Sequence, residues 1–223
     1  MTGAIAQRLS EIRQQLPESV RLIAVTKQVS PEAMREAYDA GVRDFGESRI
    51  SEAELKQAQL QDLPDITWHL IGHLQSNKAR KALEQFQWIH SIDSLKLAQR
   101  LNELALELSR SPFICLQVKL LPDPNKYGWT VPQLLADLPA LNECYNLQIQ
   151  GLMTIPPFDL KASEILSVFD RTRKLADEIR QQNWSNIQMQ QLSMGMSGDY
   201  PLAVQSGATM IRLGRILFGE RAS

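Results

Sequence analysis

The chain is 223 residues long, with 43% hydrophobic and 22% charged residues, a balance that supports a sizeable core and excludes global disorder. Its net charge of −1 and its lack of a basic tract exclude the electrostatic footprint of a nucleic-acid binder. Two cysteines do not make a disulfide framework, no stretch reaches the ~18–20 apolar residues of a membrane span, and residues 1–8 lack the basic and apolar regions of a signal peptide, so a cytoplasmic chain with no membrane partner is expected.

Residues 4–16 carry Ile5, Leu9, Ile12 and Leu16 at helical spacing, and Pro17 follows. Residues 20–26 read as the first strand. Ser30 and Pro31 mark a helix start, as N-cap and first helical position, and that helix ends near Gly41. A short strand at 42–45 leads through Gly46, Glu47, Ser48 and Arg49 into a helix over 51–60. Further strands are expected at 66–71, 88–90, 113–118, 147–153, 187–192 and 209–213. Between them the pattern predicts helices over 77–86, from Ser94 to near Ser109, and over 132–138, 161–182 and 200–205, with a last turn at 215–218. Cys115 lies inside the fifth strand and reads as a small buried hydrophobe. His90, at a strand end, reads as structural.

Eight strands alternating with helices imply βαβ units and a parallel sheet, and eight units in this length fit a single (β/α)8 barrel domain over residues 1–223, with the first helix as an extra N-terminal element. An open doubly wound sheet is the alternative. It wants a glycine-rich turn after the first strand, where this chain has Lys27-Gln-Val-Ser-Pro31. Barrel active sites sit at the C-terminal ends of the strands. Lys27, Glu47, His73, Met153, Thr154, the run from Ser193 to Ser197, and Arg212 to Arg215 all follow or end strands, so they are expected on one rim.

Lys27 closes the apolar run Leu22-Ile-Ala-Val-Thr-Lys27, where a lysine has no packing use. Burial disfavours a charged amine, and a neutral amine condenses with aldehydes. The competing explanation is a lysine snorkelling from a strand end. Near the other terminus, Ser193-Met-Gly-Met-Ser-Gly-Asp199 and Ile211-Arg-Leu-Gly-Arg215 combine glycines, hydroxyls and arginines, a suitable lining for a phosphate. An amine and a phosphate cradle together point to pyridoxal 5′-phosphate (PLP), which carries both an aldehyde and a phosphate. His69 and His73 are spaced as helical metal ligands would be, but Gly72 and the apolar run favour strand and turn there.

Six blocks carry a resemblance: Ala24-Val-Thr-Lys27, Phe45-Gly-Glu47, Trp68-His-Leu-Ile-Gly-His-Leu-Gln-Ser-Asn-Lys78, Gly151-Leu-Met-Thr154, Leu192-Ser-Met-Gly-Met-Ser-Gly-Asp199 and Ile211-Arg-Leu-Gly-Arg-Ile-Leu-Phe-Gly219. They span nearly the whole chain, and through them it resembles the YggS/PROSC family of PLP homeostasis proteins, including the cyanobacterial PipY branch. The resemblance implies a fold-type III PLP barrel like the alanine racemase N-terminal domain, with Lys27 as the internal Schiff base. It further implies a monomeric PLP-binding protein of vitamin B6 and amino/keto acid homeostasis, without robust enzymatic activity. Ser48 and Lys119 stand where the family usually has Asn, and Pro124 and Asn125 stand in a region usually acidic.

On this basis Ser197, Gly214 and Arg215 are assigned to the phosphate, with Ser193 and Gly198 as further members of the cradle. The serine hydroxyl donates, and Gly214 lets the backbone approach so that the Arg215 N–H also points at the oxygens. Arg212, in an Arg-x-Gly pattern like that of alanine racemase barrels, is assigned beside the pyridine nitrogen. Met153 and Thr154 either border the cofactor or serve core and rim packing, and His73 either orients a loop beside the ring or simply packs. Glu47 and Arg49 fit either a rim ion pair or a solvated helix start. A PLP-dependent amino-acid racemase of low activity is the alternative. It needs an acid opposite Lys27, the chain ends about ten residues after its last strand, and of its four tyrosines only Tyr127 lies in a loop that approaches the rim. An exposed cofactor face suits transfer to PLP-dependent apoenzymes, and a regulatory protein is the other expected partner. A Schiff-base aldolase on the same barrel lacks the carboxylate pair it would need, and a pure adaptor working through the outer helices stays open.

Overall fold

The apolar strands are each short and bounded by turns, so their backbone groups are satisfied only by lateral pairing. In the computed structural model, which describes residues 3–124 and 126–219, eight of them close into a ring. Residues 1–2, Asn125 and residues 220–223, on which part of the terminal readings and one family departure fall, lie outside the described residues. The barrel strands are β1 (Arg21–Val25), β2 (Asp44–Glu47), β3 (Thr67–Leu70), β4 (Trp88–Ile92), β5 (Phe113–Lys119), β7 (Gln148–Met153), β8 (Ile187–Met196) and β9 (Met210–Leu213). All pair in parallel; β4 pairs with β5, and β9 returns to β1 through Ala24 and Leu213. The two-residue β6 (Trp129–Thr130) adds to Val118 and Lys119 of β5, outside the ring.

Helices α2 (Pro31–Asp39), α3 (Ile50–Gln59), α4 (Ala79–Gln85), α5 (Leu95–Glu107), α6 (Val131–Asn142), α7 (Ala162–Gln181), α8 (Tyr200–Gln205) and α9 (Arg215–Phe218) follow the strands. A 3₁₀ turn, Ser76–Lys78, opens α4. Ser30 caps α2 by accepting the Ala33 N–H, with Pro31 at the first position. In α5 the buried face is Leu97, Ala98, Leu101, Leu104 and Ala105, a stripe at three- and four-residue spacing. Each fully buried leucine there contributes roughly 1.5–3 kcal/mol of transfer free energy. The added helix α1 (Ala4–Gln15) packs on α2 and α9. Arg8 donates to Leu217 O, and Arg13 to Ala40 O and Gly41 O.

Strand alternation divides the core in two. The large cluster joins the outer strand faces to the helices. A separate cluster of Ile23, Trp88, Cys115, Met153 and Met210, from five strands, fills part of the lumen. Cys115 is fully buried, and burial pushes its thiol up to about 12.

Three elements differ from expectation. β8 runs on through Met196, so the expected Gly-rich turn is largely strand. Gly195, at φ +94°, and a register shift between Ser193 and Met196 let the pairing with β9 continue. α6, expected over 132–138, extends from Val131 to Asn142 and passes Pro139; one missing N–H donor is tolerated where Leu134, Leu138 and Leu141 are buried against the barrel. β6, at residues 129–130, is an added strand that the sequence pattern does not predict, too short to show a period.

Gly151, in β7, lies against Gln191 of β8 so closely that an added Cβ falls 1.7 Å from the Gln191 carbonyl oxygen. Because that neighbour is backbone, Gly151→Ala is expected to destabilise the protein by about 3 kcal/mol, measured by urea unfolding.

Candidate cofactor site

Ring closure places the two ends of the sequence side by side. β9 pairs with β1, and beyond it a Cβ on Gly214 would sit 3.5 Å from both Val25 Cβ and Val25 O. Lys27 is two residues further along. Its side chain is half-buried rather than enclosed, because β1 ends at Val25 and the chain turns at Lys27 and Gln28.

That turn is held from behind by a cluster that sequence reading did not assemble. Lys56, from α3, donates to Thr26 O at 2.6 Å and to Glu47 Oε1 and Glu52 Oε1, each at 2.7 Å. The Thr26 hydroxyl donates to the same Glu47 oxygen at 2.6 Å. Glu52 Oε1 accepts the Gln28 N–H at 2.5 Å, and Gln28 has φ +60°. The residues on both sides of Lys27 are therefore fixed to one buried lysine. Burial raises the Glu47 carboxyl above its ordinary range against the pull of Lys56 and Thr26. Burial also raises Glu52, but its hydrogen bonds from Lys56 and Gln28 outweigh this and hold it low. The expected rim pairing of Glu47 with Arg49, and the solvated alternative, are both corrected: Glu47 is fully buried behind the strand, while Arg49 is exposed at the start of α3.

Arg212 is 4% exposed and lies inside the barrel, not on the surface. Its guanidinium donates to Ser193 O at 2.6 Å, Ser193 Oγ at 2.7 Å and Thr154 O at 3.1 Å. Burial lowers its pKa to about 10, so it stays a cation at neutral pH. Met153, also in the lumen, neighbours Ser193 across the β7–β8 pairing.

The C-terminal turns split into two groups. Ser197 Oγ accepts the Gly214 N–H at 3.4 Å, which joins the turns after β8 and β9. Asp199 Oδ1 accepts the Met196 N–H at 2.6 Å and shapes the first of them. Arg215, at the start of α9, and Gly198 are exposed. A Cβ added at Gly198 would meet nothing within 4 Å, so that turn borders open space. Ser193 does not join this group. Its hydroxyl is fully buried four residues earlier, on the inward face of β8 beside Arg212.

His73 lies across the rim. Its ring stacks on Tyr127 with centroids 3.5 Å apart, and its Nδ1 is 3.0 Å from Asp93 Oδ2. The loops after β3, β4 and β5 are thereby joined. A second rim lysine escaped the sequence reading. Lys126 donates to Ile155 O at 3.4 Å and to Pro156 O, lies 3.7 Å from Asp123, and sits 4.9 Å over the 84% exposed Phe158 ring. Burial lowers its pKa. A lone lysine in a proline-rich loop carries no periodic signal, so nothing in the sequence marked it.

Replacing Lys56 leaves Glu47 buried without its cation. Lys56→Met is expected to cost roughly 3 kcal/mol in chemical unfolding, more than a typical exposed ion pair contributes.

Comparison with known proteins places this geometry in a family. Residues 2–222 match the family described as alanine racemase, N-terminal domain. The pyridoxal phosphate homeostasis protein of Synechocystis is 53% identical over 212 residues, covering 95% of this chain and 96% of its own. PipY of Synechococcus elongatus, solved with PLP bound, superposes with a TM-score of 0.92 at 56% identity, covering 96% of this chain and all of that one. Alanine racemase of Clostridium difficile, at 17% identity and a TM-score of 0.76, shares the fold. Lys27 and the Ser197–Gly214 contact thus lie on a barrel of known kind, and the chain belongs to the pyridoxal phosphate homeostasis proteins, within the alanine racemase N-terminal domain family.

Proposed function

We propose that this chain binds PLP through a Schiff base to Lys27 and holds it for intracellular PLP and amino/keto acid homeostasis, as a monomer without robust turnover of its own. The observation that carries the reading is the closure of β9 on β1, which sets the Ser197–Gly214 contact beside the Lys27 turn. The open space at Gly198 and the Ser197 hydroxyl fit a phosphate group, with the Arg215 backbone on the same turn. PLP, when bound, supplies an electrophilic aldehyde and an electron-accepting ring.

The chain's own residues temper that chemistry. Arg212 presents a cation from inside the barrel, and a cation beside the pyridine nitrogen disfavours its protonation, so the ring is a poor electron sink. Met153 packs beneath the ring. Ser193 acts through Arg212 in this reading instead of touching the phosphate. His73 and Tyr127 close one side of the mouth, while Tyr127, 55% exposed, keeps its face on the imidazole. Delivery to PLP-dependent apoenzymes, or contact with a regulatory protein, uses the open rim. Among the described residues no helix is long and apolar enough to cross a membrane, and the reading places the protein in the cytoplasm.

The purified protein is expected to show a visible absorption band with PLP, and Lys27→Ala to lose it; an unchanged band in the variant would overturn the Schiff-base assignment. Ser197→Ala is expected to weaken PLP binding about tenfold, the effect of one hydrogen bond to a charged group, as measured by fluorescence titration. Brisk racemisation of L-alanine by the loaded protein would favour the racemase and overturn the holding role.

A further inference from the structure

Behind Arg212 a line of polar side chains crosses the lumen. Ser193 Oγ is 2.8 Å from His90 Nδ1, His90 Nε2 is 2.9 Å from His69 Nδ1, and His69 Nε2 is 2.9 Å from Asp44 Oδ1. Both histidines are fully buried, whereas Asp44 starts β2 at the opposite end of the barrel from Lys27 and is reached by solvent. Arg21 lies 3.7 Å from the same Asp44 oxygen and over the Trp88 ring.

The two ends dictate the direction of every bond between them. A carboxylate only accepts, so His69 donates from Nε2 and its Nδ1 is bare. His90 must then donate from Nε2 to that bare nitrogen, which leaves its own Nδ1 as an acceptor. Ser193 therefore donates its hydroxyl proton to His90. Its oxygen lone pairs face Arg212, which only donates. One arrangement satisfies all four contacts with both imidazoles neutral. Burial lowers both histidine pKa values, His90 well below the ordinary one, with further lowering by His69, Arg212 and Arg21. Neither histidine has a role in the holding of PLP described above.

We propose that Ser193, His90 and His69 are positioning residues: a one-way hydrogen-bond chain, ordered by Asp44 at the base of the barrel, fixes which edge of Arg212 faces the cofactor ring. With Nη1 held twice by Ser193 and Nη2 held by Thr154, the guanidinium cannot rotate. The base of the barrel is thereby coupled to the mouth across its whole depth. The coupling rests on the reading that Arg212 faces the PLP ring; the tautomer order does not. The other charged group acting on Arg212 is Asp199, at the rim, and Cys115 lies beside it as a neutral thiol.

The chain contains three histidines, so the test is compact. In 15N-labelled, cofactor-free protein, long-range 1H–15N spectra are expected to show His69 and His90 both neutral and protonated at Nε2; His73→Asn removes the third set of signals. A cationic imidazole at neutral pH, or either ring protonated at Nδ1, would overturn the proposal. In PLP-loaded protein, Asp44→Ala is expected to disturb the His69 pattern, shift the cofactor's visible band and weaken its retention about fivefold, the scale of one hydrogen bond. Asp44→Asn, which keeps an acceptor oxygen, is expected to restore all three. An Asp44→Ala protein with altered histidines but an unchanged band and retention would overturn the coupling. If the wild type took up no PLP, the functional reading and the coupling would both fall, while the histidine pattern would be judged by the first spectrum alone.

Discussion

Parallel pairing of the last strand on the first is the constraint on which the site depends. Lys27 and Gly214 are separated by most of the sequence, yet the register of Ala24 with Leu213 makes their turns neighbours. No local propensity brings Lys27 to the turn at Gly214; closure of the ring does. The same closure leaves no free edge on the barrel strands, and it forces inward side chains from all sides into one lumen.

That lumen is an unusual place for a guanidinium. Burying a cation costs several kcal/mol unless its donors are matched. The acceptors of Arg212 are a hydroxyl and two backbone carbonyls, neutral groups whose dipoles are oriented by the strands that carry them. Two further polar arrangements use the same logic at different depths. Lys56 gathers two carboxylates and a carbonyl behind β1, and the imidazole pair spans the centre. Apolar packing by Ile23, Trp88, Cys115, Met153 and Met210 accompanies the Arg212 and imidazole contacts in the lumen and keeps water out. The fold is thus stabilised by its outer shell of leucines and alanines, while the inner volume is given to orientation.

Much of this was legible in order along the chain. The Ser30–Pro31 start, the stripe of α5 and the apolar runs of the strands each follow from local chemistry, and strand–helix alternation then selects a barrel. What escaped was non-local or small. The expected helix over 132–138 was too short, because burial of α6 against the barrel carries it past Pro139. Gly195 signalled a loop, yet its positive φ serves a kink inside β8. Ser193 looked like its neighbour Ser197, although strand alternation turns it inward to Arg212. Glu47 was read with Arg49 two residues away, whereas its partner lies nine residues on, across the first turns of α3. His90 was read as structural, and its contact with a serine 103 residues distant was invisible before the fold was known.

The helix α1 gives the seam a brace. It lies on α2 and α9, the helices that follow the first and last strands, and Arg8 reaches the Leu217 carbonyl from it. Such contacts join the extremes of the chain and close the longest loops in the molecule, which makes them entropically late in folding. A polypeptide still emerging from the ribosome presents the Lys27 turn early but gains the Gly214 turn beside it only after β9 has been made. Neighbouring turns at the mouth of this barrel are thus contributed by segments made at very different times, and they meet only when β9 has paired with β1.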